Sequence, residues 1–344
     1  MITDMTISNF RCFSELYVEP LARVNLFVGM NNAGKTSILD AAELLAVGKV
    51  EALARSAIRR GELILASRDE RGELPEHVVD PSYLFHGREE LRAGKSFSIE
   101  GRGLEHQWVH CKAERASSET LIMTLRFESH SSEEAGRLTL SPAGGVLAPP
   151  RGRPKPGPRV NFLGTEALDS DRLSQLWDAV VLTPGEEGVT AALRLIEPRI
   201  ERFALVGEGR SASPRIVLKL EGLERRIPLG NLGGGLRHLF ALALNLSSAA
   251  GGVLLVDEID TGLHYTVMAD MWRLIIESAR RFDIQVFTTT HSLDCVRALA
   301  EVREKYPSLA AEVALHRIDK DAPRTVVYTM DEIAVAARGS IEVR

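Results

Sequence analysis

The strongest constraint on the fold of this chain is the octapeptide GMNNAGKT at residues 29–36. The apolar segment at residues 23–28 precedes it and predicts a short buried strand. Apolar residues at helical spacing follow it in residues 37–45. A glycine-rich loop between a strand and a helix can curl its backbone so that N–H groups point inward at a helix N-terminus. The octapeptide therefore predicts a phosphate-binding loop.

The residue types in this loop predict how it would hold a nucleotide. Lys35 would reach the β- and γ-phosphates, and the Thr36 hydroxyl would ligate Mg²⁺. The alternative is a glycine turn that carries an exposed lysine, and the strand–loop–helix context favours nucleotide binding over it. The residues expected to contact the nucleotide are Gly29, Asn31, Asn32, Ala33, Gly34, Lys35, Thr36 and Ser37.

Composition narrows the class of protein. The chain has 344 residues, enough for one large domain or two of ordinary size, and its 26% charged and 44% hydrophobic residues are typical of a soluble globular protein. A net charge of −5 argues against a generally basic nucleic-acid binder but leaves room for a local basic patch. Three cysteines without a CxxC pair indicate a reducing compartment and no zinc site. Because the sequence shows neither a signal peptide nor a long apolar run, we expect a cytoplasmic protein with no membrane partner.

An acid pair ends the apolar run VLLVDE at residues 253–258. Such a run predicts a buried strand that delivers Asp257 and Glu258 at its tip. Asp257 would hold the metal, usually through water, and Glu258 would polarise the attacking water as the catalytic base. The pattern alone is weak, but its position between the phosphate-binding loop and a third motif favours the catalytic interpretation.

Two further features accompany the acid pair. Residues 286–292 predict a second buried strand that ends in His291, which could hydrogen-bond the γ-phosphate and sense hydrolysis. A satisfied core histidine is the alternative. Gly233, Gly234 and Gly235 open an apolar-periodic helix and offer a second helix N-terminus to phosphate, with a flexible linker as the alternative.

With these four motifs in this order, the chain resembles ABC-type ATPases, specifically the RecF/SMC-like branch typified by the ATPase domain of OLD-family (AbiEii/PARIS-type) proteins. The resemblance covers nearly the whole chain, from ISNFRCFSELYVEPLARVNLFVGMNNAGKTSILDA through YLFHGR at residues 83–88, residues 173–202 and VLLVDEIDTGLHY to the closing GSIEVR. It implies hydrolysis of ATP with Mg²⁺. It also implies that residues 233–235 complete the site of a neighbouring subunit, so that ATP would join a homodimer, and it leaves higher oligomers open.

The expected fold is α/β: a P-loop NTPase built as a single ABC ATPase head over residues 1–344, with a mixed central sheet, flanking helices and an antiparallel β subdomain. Residues 1–50 and 215–344 would form the nucleotide-binding core, residues 51–160 an inserted β-rich segment, and residues 161–214 a helical segment. Helices are expected at residues 169–182 and 188–203. The proline- and arginine-rich stretch at residues 148–160 would be an exposed irregular loop or, alternatively, a basic arm for nucleic acid or an acidic partner.

The chain departs from the family pattern in places. Glycine replaces the signature serine in LGGGL at residues 232–236, so only backbone N–H groups would face a partner's phosphate. The segment DTGLH at residues 260–264 ends in His264, where transporter ATPases carry aspartate. Gln107 and Gln175 are the visible candidates for the Q-loop glutamine. OLD nucleases carry a TOPRIM domain after the ATPase, and we expect none here because the chain stops at Arg344.

The leading functional hypothesis is an ATPase that acts as sensor or regulator for a separate effector protein, a nuclease or a toxin, in a prokaryotic anti-phage or toxin–antitoxin module. The alternative is a DNA-repair ATPase similar to RecF, for which DNA would be the partner. A transporter ATPase fits less well, because the NFR opening and the long β-like insertion are unusual in that class.

Overall fold

The computed structural model describes residues 1–63, 78–87, 90–115, 123–140, 146–147, 159–166, 170–206 and 215–339. Most of the proline- and arginine-rich stretch, residues 148–158, lies outside the described residues, as do Arg88 and the closing residues 340–344. The expectations attached to these segments therefore stay predictions.

The strands are, in chain order, β1 (Ile2–Phe10), β2 (Phe13–Val18), β3 (Val24–Val28), β4 (Val78–Val79), β5 (Ser96–Gly103), β6 (Gln107–Arg115), β7 (Met123–Ser129), β8 (Ser132–Thr139), β9 (Val146–Leu147), β10 (Val160–Leu163), β11 (Ile200–Val206), β12 (Arg215–Leu220), β13 (Ile227–Pro228), β14 (Val253–Val256), β15 (Gln285–Thr289), β16 (Val313–Arg317) and β17 (Val326–Thr329). The α-helices are α1 (Lys35–Val47), α2 (Glu51–Arg59), α3 (Ser170–Asp178), α4 (Pro184–Arg194), α5 (Gly234–Ser248), α6 (Tyr265–Arg281), α7 (Leu293–Lys305) and α8 (Met330–Arg338).

The chain divides into two compact units. The first comprises Met1–Leu21, Asn31–Pro158 and Ile318–Thr325, and the second comprises Ala22–Met30, Arg159–Arg317 and Val326–Arg344. The glycine-rich loop therefore begins in the second unit, at Gly29 and Met30, and ends in the first. The domain boundaries expected from the sequence stay a prediction.

The first unit is built on an antiparallel sheet of order β2-β1-β5-β6-β7-β8. Alternating burial along β1 and β5 gives this sheet an apolar face. The rings of Phe10 and Phe85 pack on Phe97 at centroid distances of 5.1 and 5.3 Å. Helix α1 ends at Val47 because Gly48 takes a left-handed φ of 59° and donates its N–H to the Leu44 carbonyl at 2.8 Å.

The second unit is built on a mixed sheet of order β10-β14-β15-β3-β16-β17. All its pairs are parallel except β16 with β17. Every residue of β3 and β15 is buried, as expected for parallel strands covered on both faces. Helices α5, α6 and α7 contribute to the core around Trp272, whose Nε1 donates to the Cys295 carbonyl at 2.9 Å. The mixed sheet here and the antiparallel sheet of the first unit confirm the predicted α/β fold class.

The helix predicted at residues 188–203 is wrong in its second half. Helix α4 ends at Arg194, and residues from Ile200 onward form β11, which pairs with β12. The helix predicted at residues 169–182 is confirmed in a shorter form as α3. In the part of the chain that the structure describes, no helix has both the length and the apolar surface needed to cross a bilayer.

Candidate active site

The loop at residues 29–36 has the backbone of a phosphate cradle. Gly29, Asn32 and Gly34 have positive φ angles of 146°, 62° and 98°. Glycine adopts such angles without a steric penalty, and asparagine tolerates them better than most side chains. Alternation of these residues with ordinary ones turns the chain tightly just before α1, which is how successive N–H groups come to line an anion site.

Helix α1 begins at Lys35 with its first turn open to an anion. Among the described residues, no side chain caps this helix, and its first turn carries no acid. The N–H groups of a first turn have no partner within the helix, and the helix dipole adds positive charge there. Lys35 is only 6% exposed, and Thr36 is partly buried. The amide and ammonium groups suit phosphate oxygens, and the hydroxyl oxygen of Thr36 suits a Mg²⁺ ion.

The remaining loop residues differ in exposure. Asn31 and Asn32 are exposed, whereas Ala33 and Ser37 are buried. A Cβ atom built on Gly34 would lie 2.4 Å from Phe13 Cζ and 2.6 Å from Cys12 Sγ. The loop is therefore seated directly on the segment between β1 and β2, and only glycine fits at residue 34.

A buried ion network holds α1 against α2, and sequence analysis did not anticipate it. Arg59 Nη2 and Arg60 Nε lie 2.7 and 2.6 Å from the Asp40 carboxylate, and Arg11 Nε lies 3.1 Å from it. Burial alone would raise the pKa of Asp40, but the guanidinium groups of Arg11, Arg60 and Arg59 together hold that pKa below its ordinary value. The network fixes the helix that opens with the loop's lysine.

In the second unit, the predicted acids and histidine lie at the carboxyl ends of adjacent parallel strands. Asp257 and Glu258 follow β14, and His291 follows β15. Strand β3, which is followed by Gly29, pairs with the other side of β15. Because carboxyl ends of parallel strands meet at one edge of a sheet, these four residues share that edge. The structure thus brings together the acid pair, the histidine and the start of the glycine-rich loop.

Glu258 occupies an unusual backbone conformation. Its φ angle is 50°, in the left-handed region that residues with long side chains rarely adopt. Its N–H donates to Thr289 Oγ1 at 2.9 Å, and its carbonyl accepts from Thr261 N at 3.0 Å. The side chain is exposed. Strained, well-anchored residues of this kind cluster at reacting centres, which supports the catalytic interpretation of Glu258.

His291 lies on a short turn whose two neighbours are anchored. Thr290 N donates to the Phe27 carbonyl at 3.2 Å, and Thr290 Oγ1 accepts from Ser292 N at 2.9 Å. Ser292 in turn caps α7 by accepting from Cys295 N at 3.2 Å. His291 itself is exposed rather than packed in the core. Its backbone is fixed while its ring is accessible.

Helix α5 supplies the second glycine-rich helix start. Nothing lies within 4 Å of a Cβ built on Gly233 or Gly234, whereas one built on Gly235 would lie 2.5 Å from the Gly262 carbonyl oxygen. Deeper in α5, His238 Nε2 lies 3.0 Å from the Ile259 carbonyl, and burial lowers the pKa of this histidine. The helix start is thus anchored on one side and open on the other.

Sequence analysis missed the threonines that hold these acids. Thr289 contacts Asp257 and Glu258, and Thr290 contacts Asp260. The only sequence signal is the run of threonines before His291, which β propensity explains equally well. Of the Q-loop candidates, Gln107 begins β6 in the first unit, and Gln175 is exposed on α3 in the second; neither position identifies that loop.

Sequence models of two families match the chain. One is described as "AAA ATPase domain" and matches residues 1–80. The other is described as "AAA domain, putative AbiEii toxin, Type IV TA system" and matches residues 129–295. Among curated proteins, an ATP/GTP phosphatase of Helicobacter pylori (strain ATCC 700392 / 26695) is 22% identical over an aligned length of 354, and the alignment covers 89% of each protein. The DNA replication and repair protein RecF of Idiomarina loihiensis is 42% identical over 48 residues, 14% of each protein.

Solved structures of SMC heads share the fold. A head bound to the C-winged helix domain of ScpA matches with a TM-score of 0.53 and 14% identity, over 95% of this chain and 97% of that one. A head with an extended coiled coil, bound to the C-terminal domain of ScpA derived from Pyrococcus furiosus, matches with a TM-score of 0.54 and 11% identity, over 98% and 99%. The chain therefore has the SMC-head-like fold of P-loop ATPases. Its matches to two ATPase family models and to the ATP/GTP phosphatase support hydrolysis of ATP.

Proposed function

We propose that this ATPase binds Mg²⁺ and ATP through residues 29–37 and hydrolyses ATP with the residues at the ends of β14 and β15. The backbone N–H groups of the loop and Lys35 hold the phosphates. Thr36 and Asp257 are the proposed ligands of Mg²⁺, which when bound neutralises charge on the phosphate oxygens. Glu258 accepts a proton from the attacking water, and His291 hydrogen-bonds the γ-phosphate.

The observation that carries this proposal is the shared strand edge in the second unit. Asp257, Glu258 and His291 end adjacent parallel strands, and the glycine-rich loop leaves the next strand of the same sheet. Ligands in open α/β sheets bind at the carboxyl ends of strands. The strained backbone of Glu258 at this edge adds independent support.

Two substitutions test the assigned roles. Lys35→Ala should abolish binding of a fluorescent ATP analogue, because the triphosphate loses its main point charge. Glu258→Gln should bind the analogue but not turn ATP over, because an amide cannot accept the proton. Glu277→Gln, an exposed glutamate on α6, is the matched control and should keep wild-type turnover. Wild-type turnover by Glu258→Gln would show that another residue is the base.

The open start of α5 supports ATP-dependent pairing of two copies. Gly233 and Gly234 face open space, and among the described residues no side chain caps α5. A helix start with free N–H groups and positive dipole suits the γ-phosphate bound by a second copy, in an isologous arrangement. Since the signature serine is absent, closure lacks one hydrogen bond to a charged group, typically worth about 1.5–3 kcal/mol.

Sedimentation velocity tests the pairing. Glu258→Gln should show more dimer with ATP than without it. Adding Gly234→Asp should remove that difference, because it places a carboxylate against phosphate. Gly188→Asp adds the same charge near Ser247, roughly 20 Å away at the other end of α5, and should leave the ATP-dependent dimer intact. A monomer under all conditions would contradict the pairing, and a dimer indifferent to ATP would place the contact elsewhere.

The pairing would report to a separate effector, a nuclease or a toxin, in an anti-phage or toxin–antitoxin module of the OLD-like type. The family description that names the AbiEii toxin and a type IV system supports this role. Both SMC heads are bound to a domain of another protein, ScpA, which supports a protein partner for this chain. The test is affinity purification of tagged Glu258→Gln with ATP from cells that also express the adjacent genes. Failure to retain any adjacent gene product would count against the role.

A RecF-like role in DNA repair is the alternative, and the local 42% match to RecF is the observation that favours it. A repair ATPase should bind duplex or gapped DNA and hydrolyse ATP faster in its presence. Weak binding to both DNA forms at moderate salt, without stimulation of turnover, would disfavour repair.

A further inference from the structure

Three consecutive threonines lead from β15 into His291. Thr288, Thr289 and Thr290 are 0%, 0% and 1% exposed, so they are equally removed from solvent. Their hydroxyl groups nevertheless have different surroundings. The triplet therefore offers a comparison in which burial and residue type are constant and only the hydrogen-bond partner changes.

The hydroxyl of Thr289 joins the two acids at the end of β14. It accepts from Glu258 N at 2.9 Å and donates to Asp257 Oδ1 at 2.6 Å. A hydroxyl has one proton and two lone pairs, so it can make both bonds at once. The Thr289 carbonyl also accepts from Ile259 N at 3.0 Å. One residue of β15 therefore anchors three successive residues after β14.

The flanking threonines do not contact these acids through their hydroxyls. Thr290 Oγ1 donates to Asp260 and accepts from Ser292 N at 2.9 Å. Thr288 Oγ1 is buried and has no hydrogen-bond partner among the described residues. Thr288 is thus a buried threonine of the same strand that can serve as a control for Thr289.

A hydroxyl and a cation affect a carboxylate differently. A guanidinium fixes the carboxylate and also offsets its negative charge. A hydroxyl fixes its orientation without adding positive charge, and a metal ligand needs both a set orientation and its charge. The same Thr289 hydroxyl holds the N–H of Glu258, whose left-handed φ of 50° persists only where the surroundings enforce it.

We infer that Thr289 is a positioning residue of the hydrolytic site, and that its single hydroxyl orients Asp257 towards Mg²⁺ and Glu258 towards the attacking water. The inference rests on the proposed function, because it takes Asp257 as the metal ligand and Glu258 as the base. Thr289 acts through these two acids and not on the substrate.

Two pairs of variants isolate the hydroxyl. Thr289→Val keeps the shape and removes the oxygen, and Thr288→Val makes the same change beside it. Thr289→Ser and Thr289→Ala differ only by that oxygen, and they serve if Thr289→Val does not fold. Each variant is titrated with Mg²⁺ while binding of a non-hydrolysable fluorescent ATP analogue is followed, and kcat is measured separately. Binding of the analogue in EDTA measures the part of the affinity that does not depend on Mg²⁺.

Thr289→Val and Thr289→Ala should need about 10–100-fold more Mg²⁺ for half-maximal binding, the usual effect of losing a group that orients a metal ligand. Their kcat should fall, and their binding in EDTA should equal that of the wild type. Thr289→Ser and Thr288→Val should both reach half-maximal binding at the same Mg²⁺ concentration as the wild type. A Thr289→Val variant that behaves like Thr288→Val would overturn the inference.

Asp257→Asn separates this inference from the proposed function. If Asp257→Asn weakens the Mg²⁺-dependent binding and the Thr289 variants do not, only the role of Thr289 is wrong. If Asp257→Asn leaves the Mg²⁺ titration unchanged, the proposed metal ligand is wrong, and the inference is overturned with it.

Discussion

The two units hold their acidic side chains in different ways. In the first unit, Asp40 is fully buried, and nitrogens of three arginines lie 2.6–3.1 Å from its oxygens. In the second unit, threonine hydroxyls at the end of β15 donate to Asp257 and Asp260, which are partly buried. Both arrangements fix a carboxylate, but a guanidinium also offsets the negative charge of the carboxylate, whereas a hydroxyl does not.

The difference matches what each carboxylate is placed to do. A buried carboxylate surrounded by guanidinium groups joins two helices and has little charge left for another ligand. A carboxylate held by a hydroxyl keeps its charge and its orientation, which suits a metal ion. We therefore interpret the network around Asp40 as the support of α1 and the pair Asp257–Thr289 as part of the reacting centre.

The largest expected effect breaks the network of the first unit. Asp40→Asn removes the negative charge that three arginine side chains face at a buried position. We expect the free energy of unfolding to fall by about 3–5 kcal/mol, the usual cost of removing one partner from a buried ionic contact. Chemical denaturation followed by circular dichroism measures it.

The control for Asp40→Asn is Asp331→Asn. The side chain of Asp331 is 68% exposed and forms an ion pair with Arg303. An exposed pair contributes less than about 1 kcal/mol, so this variant should unfold nearly as the wild type does. Equal losses in the two variants would mean that the network around Asp40 does not support α1.

The converse change in the second unit should affect turnover and not stability. Asp257→Asn keeps an acceptor for the Thr289 hydroxyl but removes the charge. We expect turnover to fall about 10²–10³-fold, the range for losing one electrostatic contact at a reacting centre. The free energy of unfolding should change by no more than it does for an ordinary surface substitution, about 0.5 kcal/mol. A large loss of stability would place Asp257 in the same structural class as Asp40.

The sequence predicts the local parts of this site well, because each depends on a short pattern. Two glycines before Lys35 require a tight turn, and the structure has positive φ at both. The apolar run before Asp257 predicts a buried strand, which is β14. Parallel strands then place their carboxyl ends at one edge, whatever the side chains between them.

The remaining parts depend on side chains that meet across long sequence separations. Arg11 and Asp40 lie on different elements, and no short pattern announces their contact. The same holds for Thr289 and Asp257, which are 32 residues apart. Sequence patterns report periodicity within one element, whereas these contacts depend on how two elements pack.

The wrong helix at residues 188–203 has a more specific cause. Ile200 and Phe203 are both buried and three residues apart, which imitates helical spacing. In the structure, an irregularity between Ile200 and Arg202 shifts the pairing register of β11 with β12. Such a shift breaks the two-residue alternation by which a strand is recognised.

Replacing a glycine by alanine at the start of α1 and at the start of α5 compares how tightly the two helix starts are packed. Gly34→Ala would place a methyl group 2.4 Å from Phe13 Cζ at a φ of 98°, so we expect a loss of roughly 2–3 kcal/mol from overlap and backbone strain. Gly234→Ala meets open space and should change stability by no more than about 0.5 kcal/mol. Thermal denaturation of both variants checks this. Equal melting temperatures would show that the loop is not seated on Phe13.

The two units should also differ in how their stability depends on pH. Burial lowers the pKa of His316, in the second unit, to about 3 from its ordinary 6.5. Between these values the unfolded chain binds a proton that the folded chain excludes, so stability falls as the pH drops below 6.5, by about 1.4 kcal/mol per pH unit. The pKa of Asp40 is lowered from an ordinary value near 3.9, so its contribution is complete above that pH and is lost only below it.

Hydrogen exchange between pH 6.5 and 4.5, corrected for intrinsic rates, should therefore show protection falling in peptides from β3 and β16 before it falls in peptides from α1 and α2. His238, whose pKa burial also lowers, changes the second unit in the same direction. His316→Gln removes the titrating group next to Asn25, where His316 Nε2 lies 3.4 Å from the amide oxygen, and should flatten the pH dependence of β3 and β16. If both units lost protection together in the wild type and in His316→Gln, acid would be acting on groups common to both. The contrast between the charge-compensated Asp40 of the first unit and the neutral His316 of the second unit would then not govern the stability of the two units.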